Sequence, residues 1–180
     1  MSRGRIEVIT GCMFGGKSEE LVRRLRRAQI AKKRVGAFKH ASDDRYDPVN
    51  IGCHTGVTFV AKPCHNVGDL NKMAQGLDVI GIDEAQFFLP VLIEFCEDKA
   101  NSGVRVIVAG LDLDSNGQLF GPIPALMAIA EDVTKLSAVC VSCGEPASRT
   151  FHKGPKEHQV EVGASQYEAR CRSCWNAKGE

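Results

Sequence analysis

Apolar positions along this chain follow two rhythms. Short strand-like runs at Arg5 to Thr10 (RIEVIT), Arg34 to His40 (RVGAFKH), Asp78 to Asp83 (DVIGID) and Val104 to Leu111 (VRVIVAGL) alternate with stretches of helical spacing. Runs that are apolar throughout, rather than at every second residue, suit parallel strands covered on both faces. Val57 to Lys62 is a weaker strand candidate, and Val133 to Val141 would complete a central sheet. The stretch from about Lys17 to Lys32 carries a core stripe at Leu21, Leu25 and Ala28. Phe87 to Ala100 has Leu92, Phe95 and Cys96 at i, i+3, i+4, and Pro122 opens a further helix over PIPALMAIAED, with a second proline, Pro124, in its first turn. The alternation predicts an α/β fold, a mainly parallel sheet with helices on both faces.

That rhythm stops near residue 139. The chain's 180 residues allow one core and a small satellite, so residues 1–139 are expected to form the α/β domain and residues 140–180 a small lobe built around cysteines. Asp43 to Thr55 is polar and aperiodic, a loop of a length that is often functional. With 23 Lys and Arg against 22 Asp and Glu, the net charge of +1 argues against a protein that holds nucleic acid by neutralising phosphates. No run approaches the roughly 18 apolar residues of a membrane helix, and the basic start, Ser-Arg-Gly-Arg, lacks the apolar stretch of an export signal. The expectation is a cytoplasmic protein without nucleic-acid or membrane partners. In that reducing compartment its eight cysteines favour metal ligation or burial over disulfides. Arg23, Arg24, Arg26, Arg27, Lys32, Lys33 and Arg34 form a basic run that reads as a solvated helix face or subunit contact.

Two segments carry phosphate chemistry. Gly11, Cys12, Met13, Phe14, Gly15, Gly16, Lys17 and Ser18 fit GxxxxGK[ST], between a predicted strand and a predicted helix. Glycines let backbone N–H groups turn in on phosphate oxygens, and the helix N-terminus adds partial positive charge. Lys17 would reach the β- and γ-phosphates, and the Ser18 hydroxyl would ligate Mg²⁺. DVIGIDE ends an apolar strand in Asp83 and Glu84: Asp83 suits a magnesium-directed carboxylate, and Glu84 a general base beside it. The bland alternatives are a glycine turn and two solvated carboxylates; the two motifs together favour ATP and Mg²⁺ over both.

Cys140-x-x-Cys143 and Cys171-x-x-Cys174 are two knuckles with 27 residues between them. Four thiolates so spaced can close a tetrahedral Zn²⁺ site with no open position, hence a structural metal, and a lobe this short has little other core. Cys12, Cys53, Cys64 and Cys96 lack such spacing and read as free thiols.

With these segments in order, the sequence resembles the type II thymidine kinase family, the zinc-containing cytosolic and bacterial group. The resemblance runs from Ile6 to Trp175 through GCMFGGKSEEL, DDRYD, CHTG, DEAQFF, AGLDLD, KLSAVCVSCGEPASRT and VGASQYEARCRSC. It implies a P-loop domain with a zinc-ribbon and lasso lobe, and transfer of phosphate from ATP to the 5′-hydroxyl of thymidine with Mg²⁺. It also implies deoxyuridine as a candidate second acceptor, feedback inhibition by dTTP and a homotetramer. Glu84 matches the family's proton acceptor, Lys17, Ser18 and Asp83 its ATP and magnesium groups, and Gln86 a residue near them. Met13, Phe87, Phe120 and Thr150 look like nucleoside-pocket residues, Thr150 lying against the thymine methyl. Val160, Val162, Gly163 and Tyr167 look like the lasso that closes over the base. For Phe87 and Phe120 core packing is the alternative. The family commonly has an aromatic residue where this chain has Ser115, and Arg where it has His152, so the pocket wall is altered while the phosphate groups are kept. The rival from another class is a nucleic-acid-stimulated P-loop ATPase, against which the balanced charge counts. The phosphate loop is expected to form without zinc, so that metal loss would weaken thymidine binding far more than ATP binding.

Overall fold

The computed structural model describes residues 4–41, 50–52, 58–154 and 164–177. Its strands are β1 (Arg5–Gly11), β2 (Val35–His40), β3 (Asn50–Gly52), β4 (Thr58–Val60), β5 (Lys62–Cys64), β6 (Val79–Asp83), β7 (Arg105–Gly110), β8 (Asp132–Leu136), β9 (Ala138–Val139), β10 (Pro146–Ala147), β11 (Arg149–His152) and β12 (Tyr167–Arg170). The helices are α1 (Lys17–Ile30), α2 (Val67–Met73), α3 (Val91–Asn101), α4 (Ile123–Ile129) and α5 (Arg172–Asn176). Six strands pair in the order β5-β2-β6-β7-β1-β8, and every pairing in that sheet is parallel.

Both faces of the sheet are covered, as the continuous apolar runs require. On one face Leu21, Val22, Leu25 and Ala28 of α1 pack on Ile9, Ala37, Val79, Ile107 and Ala109. On the other, Leu70, Leu92, Phe95, Cys96, Ile123 and Leu126 cover Ile6, Val8, Phe38, Ile80, Ile82, Val106 and Val108. The strand ends that follow β1, β6 and β7 therefore converge at one edge of a three-layer α/β/α arrangement. None of the helices among the described residues is long and apolar enough to cross a membrane.

Four expectations change in detail. Helix α1 stops at Ile30, and Lys32 adopts φ 56°, a left-handed turn that ends it. The helix expected from Phe87 begins only at Val91, because Pro90 cannot sit inside it; Ala85–Phe87 form a separate 3₁₀ turn. Val57 to Lys62 breaks at Ala61: β4 pairs with β3 apart from the main sheet, and β5 becomes its edge, where Pro63 can be accommodated despite lacking a donor. Val133 to Val141 also splits. Its first half pairs with β1, and after Ser137 the chain leaves the sheet so that Ala138–Val139 pair with Pro146–Ala147. Most of the Asp43 to Thr55 loop lies outside the described residues. Helix α2 lacked a long apolar stripe; its start is marked by Asn66, whose Oδ1 accepts from the Asp69 amide at 2.9 Å.

The basic run divides in two. Arg23, Arg26 and Arg27 are exposed, but Arg24 is only 9% exposed. Its guanidinium donates to Glu20, Glu7, Asp132 and Thr134. Glu7, 1% exposed in β1, also takes a two-pronged contact from Arg105 at 2.6 and 2.9 Å and an ion pair from Arg5. Burial pushes the Glu7 carboxyl up, but the hydrogen bonds from Arg105, Arg24 and Arg5 outweigh it and hold the group at about 2. A depressed carboxyl contributes stability above its unfolded value near 4.5, and the contribution is lost as pH falls toward 2. Glu7→Gln is therefore expected to lower stability by about 3 kcal/mol at pH 7 and to flatten the acid limb of the stability–pH curve. Urea titrations of both proteins between neutral pH and the acid limb check this, and identical curves would show that the network is neutral.

Candidate active site

Gly11 closes β1 at φ 132°, and a Cβ there would come within 2.1 Å of the Leu136 carbonyl oxygen, so only glycine lets the loop leave the sheet against β8. The loop then runs through Phe14 at φ 65° and Gly16 at φ 78° into α1. Gly16 caps α1 without a side-chain hydrogen bond, which leaves the first-turn amides facing the loop rather than a capping side chain. The Lys17 ammonium donates to the Cys12 carbonyl at 2.8 Å, holding its head over the loop. Burial lowers its pKa, opposed by the carboxylates of Glu84, Asp83 and Asp112 nearby.

Asp83 ends β6 two strands from the loop, with β7 between. Its carboxyl is 6% exposed, and burial together with the adjacent Glu84 pushes it up, while the Ser18 hydroxyl hydrogen-bonds to it. A hydroxyl and a carboxylate brought together beside a phosphate loop are a hard-oxygen donor set that fits Mg²⁺. Glu84 follows at φ 51°, a left-handed conformation unusual for a non-glycine residue and of the kind held in place at functional sites. Its carboxylate accepts from Gln86 Nε2 at 2.5 Å. The orientation of that amide is fixed, because Gln86 Oε1 accepts the Leu111 N–H at 3.0 Å.

Phe87 and Phe120 meet edge to face, 5.8 Å between centroids. Both are only partly buried, whereas Phe88, at 3% exposure, fills the core position. The core alternative thus belongs to Phe88, and the other two rings keep open surface next to Glu84, whose carbonyl accepts the Phe87 N–H. Gly121 brings Phe120 against this turn: at φ 53°, its Cβ would lie 2.1 Å from the Gln86 carbonyl oxygen. Thr150 is buried on β11, and its hydroxyl accepts the Met13 amide at 3.1 Å. Tyr167 lies opposite His152 across β11 and β12, the rings 5.0 Å apart. Ser115 sits in a turn held by Asp114, whose Oδ1 accepts the amides of Asn116 and Gln118. Val160, Val162 and Gly163 lie outside the described residues.

The sulfurs of Cys140, Cys143, Cys171 and Cys174 all lie within 4.8 Å of one another, and those of Cys143 and Cys171 are 3.7 Å apart. Tetrahedral Zn²⁺ with Zn–S bonds of about 2.3 Å sets sulfurs about 3.8 Å apart, so the quartet fits that ion. Cys171 Sγ also accepts the Cys174 amide at 3.4 Å. The other cysteines described, Cys12, Cys64 and Cys96, are buried free thiols.

Three residues here escaped the motif reading. Lys135 of β8 pairs with Asp112 at 2.5 Å, bridging across the end of β1, and Lys39, 2% exposed, lies in register with Asp83 on the neighbouring strand. The signal available for Asp112 was an aspartate closing the apolar run VRVIVAGL, the same pattern that marked Asp83.

A parallel sheet with a glycine-rich loop after β1, a carboxylate pair at the end of β6 and a cluster of four cysteines that fits a metal ion defines the P-loop class of nucleotide-binding folds. A family model described as thymidine kinase matches residues 4–175. A thymidine kinase of Bacteroides thetaiotaomicron is 46% identical over 99% of this chain and 90% of its own length. Those of Porphyromonas gingivalis and Rhodothermus are each 47% identical, over 96% and 97% of this chain and 85% and 82% of theirs. The chain belongs to the thymidine kinase family.

Proposed function

We propose that this protein is an enzyme that transfers the γ-phosphate of ATP to the 5′-hydroxyl of thymidine, giving dTMP. The observation that carries the reading is the placement of the Glu84 carboxylate, fixed by Gln86, beside a phosphate loop whose Ser18 touches Asp83. In this reading the loop amides and Lys17 hold the β- and γ-phosphates, and Ser18 and Asp83 hold Mg²⁺ directly or through its waters. Mg²⁺, when bound, screens the charge of the transferring oxygens. Glu84 orients the 5′-hydroxyl and takes its proton as the oxygen attacks in line with the leaving phosphate. Lys17 faces the charge that spreads over the equatorial oxygens.

Phe87 and Phe120 form an aromatic wall for the nucleoside, with Met13, Thr150 and Tyr167 on the side of the lobe. Cys140, Cys143, Cys171 and Cys174 hold a structural Zn²⁺ in a lobe of residues 140–180 set on an α/β domain of residues 1–139. Inhibition by dTTP, a homotetrameric assembly and a cytoplasmic location complete the reading by family resemblance. A coupled ADP assay with each common nucleoside in turn, and with single-stranded DNA, tests it. Thymidine is expected to give the highest kcat/KM, with deoxyuridine the nearest competitor; turnover driven by DNA and indifferent to thymidine would overturn it.

A further inference from the structure

Two segments far apart in sequence meet at the phosphate loop. The Met13 amide donates to Thr150 Oγ1 at 3.1 Å, across 137 residues, and the Cys12 thiol donates to the Ala147 carbonyl at 3.2 Å. Cys12 is 3% exposed and packs with Ala138, Cys140, Ala147 and Ala169, so the second residue of the loop belongs to the small core of the cysteine lobe. Thr150 is itself held from several sides. It is 4% exposed, pairs with Ala169 across β11 and β12, and its carbonyl accepts from Trp175 Nε1 at 3.1 Å. Trp175 follows the cysteine Cys174 directly, and its ring packs on Gly117, where a Cβ would come within 3.1 Å of it.

From this geometry we propose that Thr150 is a positioning residue for the phosphate loop: its hydroxyl oxygen holds the Met13 amide and thereby sets the peptide planes around Met13 and Phe14 that border the donor phosphates. The proposal rests on the reading of residues 11–18 as the donor site and assigns it a support outside the loop's own sequence. A loop that turns through a non-glycine residue at φ 65° keeps that conformation only when its surroundings restrain it, and the Met13 anchor is the adjacent restraint. The Met13–Thr150 bond is half-buried, and an N–H shielded from water without a partner is costly, so the loop and the segment carrying Thr150 support one another's geometry. The threonine assigned to the nucleoside side of the site thus also touches the donor side.

Thr150→Val and Thr150→Ser separate the hydroxyl from the methyl. Valine keeps the shape and removes the acceptor; serine keeps the acceptor and removes the methyl. ATP affinity, measured by calorimetry on the zinc-loaded protein without thymidine, is expected to fall roughly 5- to 100-fold in Thr150→Val and to stay near wild type in Thr150→Ser, with only the thymidine KM shifted in the latter. Hydrogen exchange at the Met13 amide is expected to be protected in the wild type and faster in Thr150→Val. Unchanged ATP affinity in Thr150→Val, or equal losses in both variants, would overturn the proposal. Should Thr150→Val not fold, the wild-type measurement decides alone: exchange at Met13 as fast as in an open loop refutes the anchor. A wild-type protein that binds no ATP would instead sink the reading of the loop, a separate failure.

Discussion

Glu84→Gln is expected to lower kcat by roughly 10²–10⁴-fold, the range for loss of a general base, while ATP and thymidine still bind. Glutamine has nearly the same shape and can keep a hydrogen bond with Gln86, whose amide is fixed by the Leu111 N–H. The left-handed turn at φ 51° disfavours both side chains alike, so stability is expected to change little. What disappears is the carboxylate that can take the 5′-hydroxyl proton. The signature is therefore a fall in kcat with little change in either KM. Single-turnover rates with saturating ATP and thymidine, alongside thermal unfolding, check it. A wild-type rate at neutral pH would remove Glu84 from the chemistry.

Loss of the zinc is the second large effect. Cys140 and Cys143 lie before Thr150 and Tyr167 in the chain, and Cys171 and Cys174 after them, so the metal would pin both ends of the segment carrying those residues. Without it, ordering even two further residues on thymidine binding costs about 2–4 kcal/mol, a loss of roughly 30- to 1,000-fold in affinity. ATP binding is expected to weaken as well. The sequence alone separated the phosphate loop from the lobe and predicted that it would need no metal. Cys12 instead packs against Cys140 and Ala147, and Met13 is held by Thr150, so a disordered lobe withdraws two supports of the loop. Calorimetry of each ligand with zinc-loaded and chelator-stripped protein, after circular dichroism shows the helices retained, gives the test. Full ATP affinity in the stripped protein would restore the independent loop.

Why some features were readable in the sequence and others were not follows from chain distance. The phosphate loop, the Asp83–Glu84 pair and the cysteine knuckles are local: glycines, a lysine, a serine, carboxylates or thiols a few residues apart, flanked by runs whose apolar pattern fixes strand or helix. The faces of α1 and α3 were legible for the same reason, since Leu21, Leu25 and Ala28, and Leu92, Phe95 and Cys96, are all buried. Pairings made only on folding left no such pattern. Arg24 looked like its exposed neighbours Arg23 and Arg26, because its partners Glu7 and Asp132 are 17 and 108 residues away. Lys135 gave no hint of Asp112. The break at Ser137 was hidden in an apolar run, Val133 to Val141, whose first half pairs with β1 near the start of the chain and whose second half pairs with Pro146–Ala147 just downstream. Phe87 and Phe120 were singled out by motif position with core packing as the alternative, and their partial exposure beside a buried Phe88 is visible only in the structure.

The step proposed for this site is direct transfer from ATP to a nucleoside hydroxyl. Incubating the protein with ATP labelled at the γ-phosphate, Mg²⁺ and thymidine, and resolving the products, measures that step itself. Label is expected in dTMP in proportion to ADP formed, at the 5′ position, and at most about a hundredth as much when Glu84→Gln replaces the wild type on the same timescale. Label released as inorganic phosphate at a rate independent of thymidine would contradict it.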